Sequence, residues 1–217
     1  MKLPIADRET AGRILAQALQ VYAGREDILI LALPRGGVPV ALEISTLLGA
    51  PLDLMLVRKL GAPGQEELAM GALATGGVQV LNREIVAALH VNEEAVRKTS
   101  EREYIELERR QKTYRGDRPL PVIENRIVIL VDDGIATGAT MKAAIKALRQ
   151  QEPARIVVAV PVAPVDTVEE LKHLADEVIA IYTPEPFIAI GRWYSDFSQL
   201  SDEEVRSALD KAWRTSG

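Results

Sequence analysis

The chain has 217 residues, of which 47% are hydrophobic and 26% charged, a balance that is typical of a folded globular protein. It contains no cysteine and only two histidines, His90 and His173, which excludes disulfide frameworks, zinc–thiolate sites and cysteine nucleophiles. The formal net charge of -5 provides no overall basic field for nucleic acid. Because no apolar run approaches the roughly 18–20 residues of a spanning helix, we expect a cytoplasmic protein without membrane contact.

Short apolar runs rich in β-branched residues alternate along the chain with amphipathic or alanine-rich segments. The runs that we predict as buried strands are 28–33, 52–57, 127–131, 156–160 and 178–182. The segments that we predict as helices are 8–22, 38–48, 138–150 and 166–175. This alternation predicts an α/β fold in which helices flank an open parallel sheet.

Two regions interrupt the alternation. After a polar, glycine-bearing loop over 58–65, the runs 68–74 and 78–81 predict a β-hairpin, and 92–114 predicts a charged helix. We expect an insertion over about 60–125 within a single domain spanning 1–217. A capping-box pattern that begins at Ser201 predicts a further helix over 201–212.

The strongest functional signal follows the predicted strand 127–131. Asp132 and Asp133 come first, then a loop of small residues, then the start of a helix. Small side chains let backbone N–H groups approach an anion, the helix N-terminus adds a positive dipole, and Thr137 and Thr140 can donate hydroxyl hydrogen bonds. Two carboxylates beside such a cradle suit a ligand that carries hydroxyls or a divalent cation as well as phosphate. The alternative is a tight structural turn in which the acids only cap the helix.

This segment, residues 131–140, resembles the diagnostic motif of the type I phosphoribosyltransferases. The resemblance implies that Asp132 and Asp133 bind the ribose hydroxyls of 5-phosphoribosyl-1-pyrophosphate (PRPP). It also implies which residues bind the 5-phosphate: Ala136, Thr137, Gly138, Ala139 and Thr140.

A second loop, Leu33-Pro34-Arg35-Gly36-Gly37, also lies between a predicted strand and a helix. Its glycines permit close backbone approach to a ligand, and Arg35 supplies positive charge. In the family the corresponding loop binds pyrophosphate, often through a strained peptide bond, and Arg58 and Lys59 resemble a basic pair that contacts the same group. By resemblance, the catalytic residues are Asp132, Asp133, Lys59 and Arg35. The alternative for the Arg35 loop is an ordinary turn, and the alternative for Arg58 and Lys59 is a pair of solvated cations.

The segment 184–197 resembles the hood of purine phosphoribosyltransferases, with bounds of about 183–200. Phe187 and Ile188 are the first candidates to stack on a base, followed by Trp193 and Tyr194. The alternative is a small aromatic core under the last predicted helix.

The resemblance implies that the chain is an enzyme that transfers the 5-phosphoribosyl group of PRPP to a nitrogenous base, with a purine as the leading case. Mg²⁺ is the expected cofactor, held through PRPP, pyrophosphate and water without a dedicated protein metal site. PRPP and the base are the expected partners, in a homodimer that binds no nucleic acid.

The alternative function is a regulatory protein that senses PRPP or nucleotides. A basic face on the charged helix supports this regulatory alternative. That face consists of Arg97, Lys98, Arg102, Arg109 and Arg110. A phosphoribosyl hydrolase and a PRPP synthase-like subunit rank lower, because the sequence offers neither a clear water-activating residue nor an ATP-binding segment.

Overall fold

The structure is a computed structural model that describes residues 3–215. The strands are β1 (Ile28–Ala32), β2 (Leu52–Leu54), β3 (Val57–Ala62), β4 (Gln65–Ala74), β5 (Val78–Leu81), β6 (Ile127–Val131), β7 (Arg155–Val162) and β8 (Glu177–Tyr182). The α-helices are α1 (Arg8–Ala18), α2 (Gly37–Leu48), α3 (Arg83–Ala88), α4 (Glu93–Arg115), α5 (Ala139–Arg149), α6 (Val165–Lys172) and α7 (Asp202–Thr215). Two short 3₁₀ turns cover Gln20–Tyr22 and Ile190–Trp193.

The main sheet has five parallel strands in the order β2-β1-β6-β7-β8. One apolar layer joins α1, α2 and α7 to the sheet through residues such as Leu15, Ala41 and Val205, and the other joins α5 and α6 to it through Met141 and Leu171. This arrangement confirms the predicted open parallel sheet with helices on both faces. Because β1 and β6 are neighbours, the loops that follow them leave the sheet side by side.

The predicted strand over 52–57 is wrong in its second half. β2 ends at Leu54, and the chain then leaves β1, because the Leu56 N–H donates to the Thr75 hydroxyl at 2.8 Å and the Thr75 N–H donates to the Leu56 carbonyl at 2.9 Å. These two bonds mark the start of a second, three-stranded antiparallel sheet in the order β3-β4-β5.

The polar loop predicted over 58–65 is also wrong, because most of it is β3. The buried side chains of Leu60 and Ala62 alternate with more exposed neighbours, as in a strand with one face packed on the core. At Gly61 the strand passes so close to β4 that an added Cβ would lie 2.5 Å from the Glu66 carbonyl oxygen. Only the turn between Ala62 and Gln65 is a loop, and the predicted hairpin is the second half of this sheet.

The charged helix predicted over 92–114 is present as α4, capped by the Asn92 side chain, which accepts a hydrogen bond from the Ala95 N–H at 2.8 Å. Two ion pairs fasten it to the strands: Glu103 with Arg58 on β3 and Arg115 with Asp53 on β2. The capping box at Ser201 is present as predicted. No helix within residues 3–215 is long and apolar enough to cross a membrane.

Candidate active site

Two loops meet at the carboxyl edge of the main sheet, one after β1 and one after β6. The Leu33 N–H donates to the Val131 carbonyl oxygen at 2.9 Å, which extends the pairing with β6 one residue beyond the end of β1. A Cβ added at Gly37 would lie 2.6 Å from the Val131 oxygen, and one added at Gly36 would lie 1.9 Å from an oxygen of Asp133. The peptide bond between Pro34 and Arg35 is cis. The structure therefore brings the predicted pyrophosphate loop into direct contact with the predicted acid pair.

The two carboxylates of the acid pair have different surroundings. Asp133 is buried and its Oδ2 accepts a hydrogen bond from Arg8 Nε at 2.7 Å, whereas Asp132 is partly exposed and its Oδ1 accepts from the Asp133 N–H at 2.8 Å. Loss of hydration and then the charge of Asp133 raise the pKa of Asp132 well above its usual range. Burial also raises the pKa of Asp133, although Arg8 opposes that shift. Perturbed carboxylates of this kind at a strand-end loop are typical of a functional site.

Arg8 is a site residue that the sequence analysis missed. It is the first residue of α1, and besides the Asp133 carboxylate it contacts the Ser198 carbonyl, to which its Nη1 donates at 2.8 Å. Its guanidinium lies 4.0 Å from the ring centroid of Phe197, a cation–π geometry. Arg8 and Asp133 are 125 positions apart, and no local pattern marks an arginine at a helix start as the partner of a distant acid. Arg8 acts on the site through Asp133, so it is a positioning residue.

Replacing Arg8 by methionine is expected to lower the free energy of unfolding by about 3 kcal/mol at pH 7, because the buried Asp133 charge loses its partner. The cost should shrink at pH 5: without Arg8 the pKa of Asp133 rises further, and a protonated Asp133 no longer needs a cation. Urea denaturation at the two pH values measures both effects.

Arg13→Met on the same helix is the matched control. Arg13 pairs with Glu43 at 3.3 Å at the surface, with half of its side chain exposed, so its loss should cost less than about 0.5 kcal/mol at either pH. Equal losses in the two variants would contradict the role given to Arg8.

The residues predicted to bind the 5-phosphate line one hollow of about 180 Å³ with Asp132. Gly138 adopts the left-handed conformation, with φ of 70°, immediately before α5 begins at Ala139. The Thr167 hydroxyl donates to the Ala136 carbonyl at 2.9 Å and fixes the loop from the side of α6. Because the first N–H groups of a helix have no intrahelical acceptor, the first turn of α5 can donate to an anion here. Ile190 of the hood also lines this hollow, a contact that the sequence analysis missed.

The predicted base-binding residues occupy different surroundings. Ile188 is 64% exposed, and Phe187 is half-buried with its ring centroid 6.4 Å from that of Trp193. Tyr194 is buried, and its hydroxyl donates to the Asp133 backbone carbonyl at 2.6 Å. This side chain therefore positions the backbone of the acid pair. The hood is fastened to the segment before α1, because the Ile5 N–H donates to the Trp193 carbonyl at 2.7 Å.

The three predicted pyrophosphate cations lie on two elements, the loop after β1 and strand β3. Arg35 extends from its loop toward α7, with its Nη1 3.9 Å from Asp202. Arg58 lies on β3 and pairs with Glu103 of α4 at 2.6 Å, and Lys59 is exposed on the same strand. The glycines of the Arg35 loop thus contact the acid pair, whereas the Arg35 guanidinium points toward α7 and Arg58 is paired with α4.

An α/β fold with a parallel sheet, an acid pair and a hollow at its carboxyl edge defines a class of proteins that bind ligands at the carboxyl ends of their strands. Within that class, residues 6–191 match the model of the phosphoribosyl transferase domain. The chain belongs to the phosphoribosyl transferase domain family, which confirms the family predicted from the sequence.

Three similar proteins accompany this match. The chain is 44% identical to the protein TT1426 of Thermus thermophilus, whose crystal structure superposes with a TM-score of 0.85 over 97% of this chain and 99% of that one. It is 46% identical to "Putative phosphoribosyl transferase Rv0571c" of Mycobacterium tuberculosis H37Rv, and equally to its counterpart MT0597 in strain CDC 1551. Both matches cover 96% of this chain, which spans only 47% of the length of either relative.

Proposed function

We propose that this chain is a Mg²⁺-dependent phosphoribosyltransferase that transfers the 5-phosphoribosyl group of PRPP to a nitrogenous base, with a purine as the leading case. The observation that carries the proposal is the contact between the Arg35 loop and the acid pair, beside the hollow formed by residues 136–140. In the reaction, the bond from C1 of the ribose to pyrophosphate breaks and a bond from C1 to a ring nitrogen forms. The proton that the base nitrogen loses passes to solvent, and pyrophosphate leaves.

Each part of the site has a distinct task in this reaction. The hydroxyls and N–H groups of residues 137–140 hold the 5-phosphate, and Asp132 accepts hydrogen bonds from the ribose hydroxyls next to it. The backbone of Gly36 and Gly37 and the charge of Arg35 receive the departing pyrophosphate. Positive charge develops at C1 as the leaving group departs, and the two carboxylates stabilise it electrostatically. The hood residues Phe187 and Ile188 offer an apolar surface on which a base can stack.

The donor set is compatible with Mg²⁺ brought in by the substrate. Of the acid pair, Asp133 is engaged by Arg8, which leaves Asp132 as the carboxylate without an ion-pair partner among the described residues. Mg²⁺ takes six oxygens in octahedral geometry, so most of its ligands would come from PRPP and water. When bound, the ion neutralises pyrophosphate charge as that group leaves.

The basic face of α4 gives no support to the regulatory alternative. Its cations are paired with glutamates of the same helix: Arg97 with Glu101, Lys98 with Glu94, Arg102 with Glu103, and both Arg109 and Arg110 with Glu106. Much of the positive charge on this face is therefore compensated within the helix, which weakens its attraction for nucleic acid.

A base screen with PRPP and Mg²⁺ tests the proposal. The protein is incubated with adenine, guanine, hypoxanthine, xanthine, uracil and no base, and pyrophosphate and nucleotide are measured together. We expect pyrophosphate to appear in equal amount with a nucleoside monophosphate, and only when a base is present. Omitting Mg²⁺ is the control and should abolish the reaction.

The other outcomes separate the alternatives. Pyrophosphate released without a base, together with ribose 5-phosphate, would indicate a hydrolase. PRPP binding without turnover of any base would favour the sensing protein. Absence of PRPP binding by the folded protein would contradict both interpretations of the site.

A further inference from the structure

A second hollow lies on the outer side of the Arg35 loop, between α4 and the start of α7. Its volume is about 200 Å³, and it is lined by Arg35, Arg109, Arg110, Thr113, Tyr114 and Asp202. Three guanidinium groups line this hollow together with the Asp202 carboxylate, and Arg109 and Arg110 are also paired with Glu106 behind them, in a chain whose net charge is -5. The hollow is therefore locally basic, although the chain as a whole is acidic.

Two of the groups that line the hollow, Tyr114 and Arg35, face the Asp202 carboxylate. The buried Tyr114 hydroxyl donates to Asp202 Oδ1 at 2.7 Å, and Arg35 Nη1 lies 3.9 Å from the same oxygen. Burial and then the neighbouring Asp202 raise the pKa of Tyr114 to about 12, so its hydroxyl remains a donor at neutral pH. Because Asp202 itself is 54% exposed, it can turn toward solvent if another anion replaces it.

Glu106 holds the two α4 arginines side by side at the hollow. Its Oε2 accepts from Arg109 Nε at 2.7 Å, and its Oε1 accepts from Arg110 Nε at 2.8 Å. These bonds lower the pKa of Glu106 to about 2, so it stays ionised and keeps both guanidinium groups in place. Guanidinium groups that are oriented in advance lose less entropy on binding, and their planar set of donors suits phosphate oxygens.

We propose that this hollow is a phosphate-binding site formed by Arg35, Arg109, Arg110 and Tyr114, in which Asp202 acts as an internal carboxylate until a phosphate displaces it. Two sources can supply the phosphate: the pyrophosphate end of PRPP, since Arg35 belongs to both sites, or a separate phosphorylated molecule. The first source rests on the proposed function, whereas the site itself does not.

Calorimetric titration with inorganic pyrophosphate, with ribose 5-phosphate and with PRPP plus Mg²⁺ tests this site. Arg109→Gln/Arg110→Gln is expected to weaken pyrophosphate binding at least tenfold and to leave ribose 5-phosphate binding within twofold. Asp202→Asn is expected to strengthen pyrophosphate binding severalfold, because the competing carboxylate is removed. Arg97→Gln/Lys98→Gln is the matched control, because it removes the same charge from the same helix at exposed, ion-paired positions. Thermal unfolding checks that every variant is folded.

The outcomes distinguish this proposal from the proposed function. Equal effects of the two double variants on pyrophosphate, or weaker binding by Asp202→Asn, would overturn the phosphate site. If Arg109→Gln/Arg110→Gln weakens PRPP and pyrophosphate alike, the site serves PRPP, and if it weakens pyrophosphate alone, the ligand is a separate phosphorylated molecule. Either result supports the site. Failure of both ribose 5-phosphate and PRPP to bind the wild type would refute the proposed function and leave the pyrophosphate comparison intact.

Discussion

Replacing Asp132 by asparagine is expected to weaken PRPP binding by about 10–100-fold while making the folded protein more stable at neutral pH. The loss of affinity follows because a neutral amide accepts weaker hydrogen bonds from ribose hydroxyls than a carboxylate does. The amide oxygen can still accept the Asp133 N–H, which Asp132 Oδ1 receives at 2.8 Å, so the loop should keep its shape.

The gain in stability follows from the raised pKa of Asp132. Loss of hydration around the carboxylate and then the charge of Asp133 raise this pKa in the folded protein, which therefore holds the proton at pH values where the unfolded chain has released it. Stability consequently falls as the pH rises from the ordinary pKa through the raised one, and asparagine removes that loss. Each kcal/mol gained should raise Tm by about 2–4 °C in a chain of this size.

Calorimetry with PRPP and Mg²⁺ and thermal unfolding at pH 7 and pH 5 measure both effects. The gain in Tm should be larger at pH 7 than at pH 5, where wild-type Asp132 is more often protonated. Asp133→Asn is the matched control: it makes the same chemical change but takes the partner from Arg8, so it should lower Tm at pH 7. An unchanged PRPP affinity in Asp132→Asn, or a lower Tm at pH 7, would contradict the prediction.

This contrast between the two acids could not have been predicted from the sequence, although the acid pair itself could. Strands β1 and β6 are buried at every position, and the two-residue acid motif with its small-residue loop is contiguous, so local patterns are enough to identify both. The partners of Asp133 come from distant parts of the chain, since Arg8 lies 125 positions before it and Tyr194 lies 61 positions after it. Contacts of that range depend on how α1 and the hood pack, and no local pattern records such packing.

The second sheet was only partly predicted, for a related reason. β3 carries Arg58, Lys59 and Gly61, residues that are typical of loops, yet Arg58 is neutralised by Glu103 of α4 and Gly61 is required where β3 closely approaches β4. Tertiary contacts with α4 thus stabilise a strand that its own sequence does not favour.

Gly36→Ala is expected to weaken the binding of PRPP and pyrophosphate by about 100-fold without unfolding the protein. The backbone of Gly36 has φ of -61° and ψ of -34°, which alanine adopts readily, so conformation alone costs little. The added Cβ, however, would lie 1.9 Å from Asp133 Oδ2 and 2.4 Å from its Cγ, far inside van der Waals contact. Because Arg8 holds the Asp133 carboxylate, we expect the Arg35 loop to move instead, which takes the pyrophosphate donors out of position.

Gly24→Ala is the control for this substitution, measured by the same calorimetric titrations and by urea denaturation. Gly24 has φ of 72° and open space around an added Cβ, so alanine there should cost roughly 1 kcal/mol of backbone strain and leave PRPP affinity unchanged. The reverse pattern is expected at Gly36, with a large loss of affinity and a small loss of stability. An affinity within twofold of wild type in Gly36→Ala would mean that Asp133 can move aside without loss of binding, and contact between the two loops would then not be required for PRPP recognition.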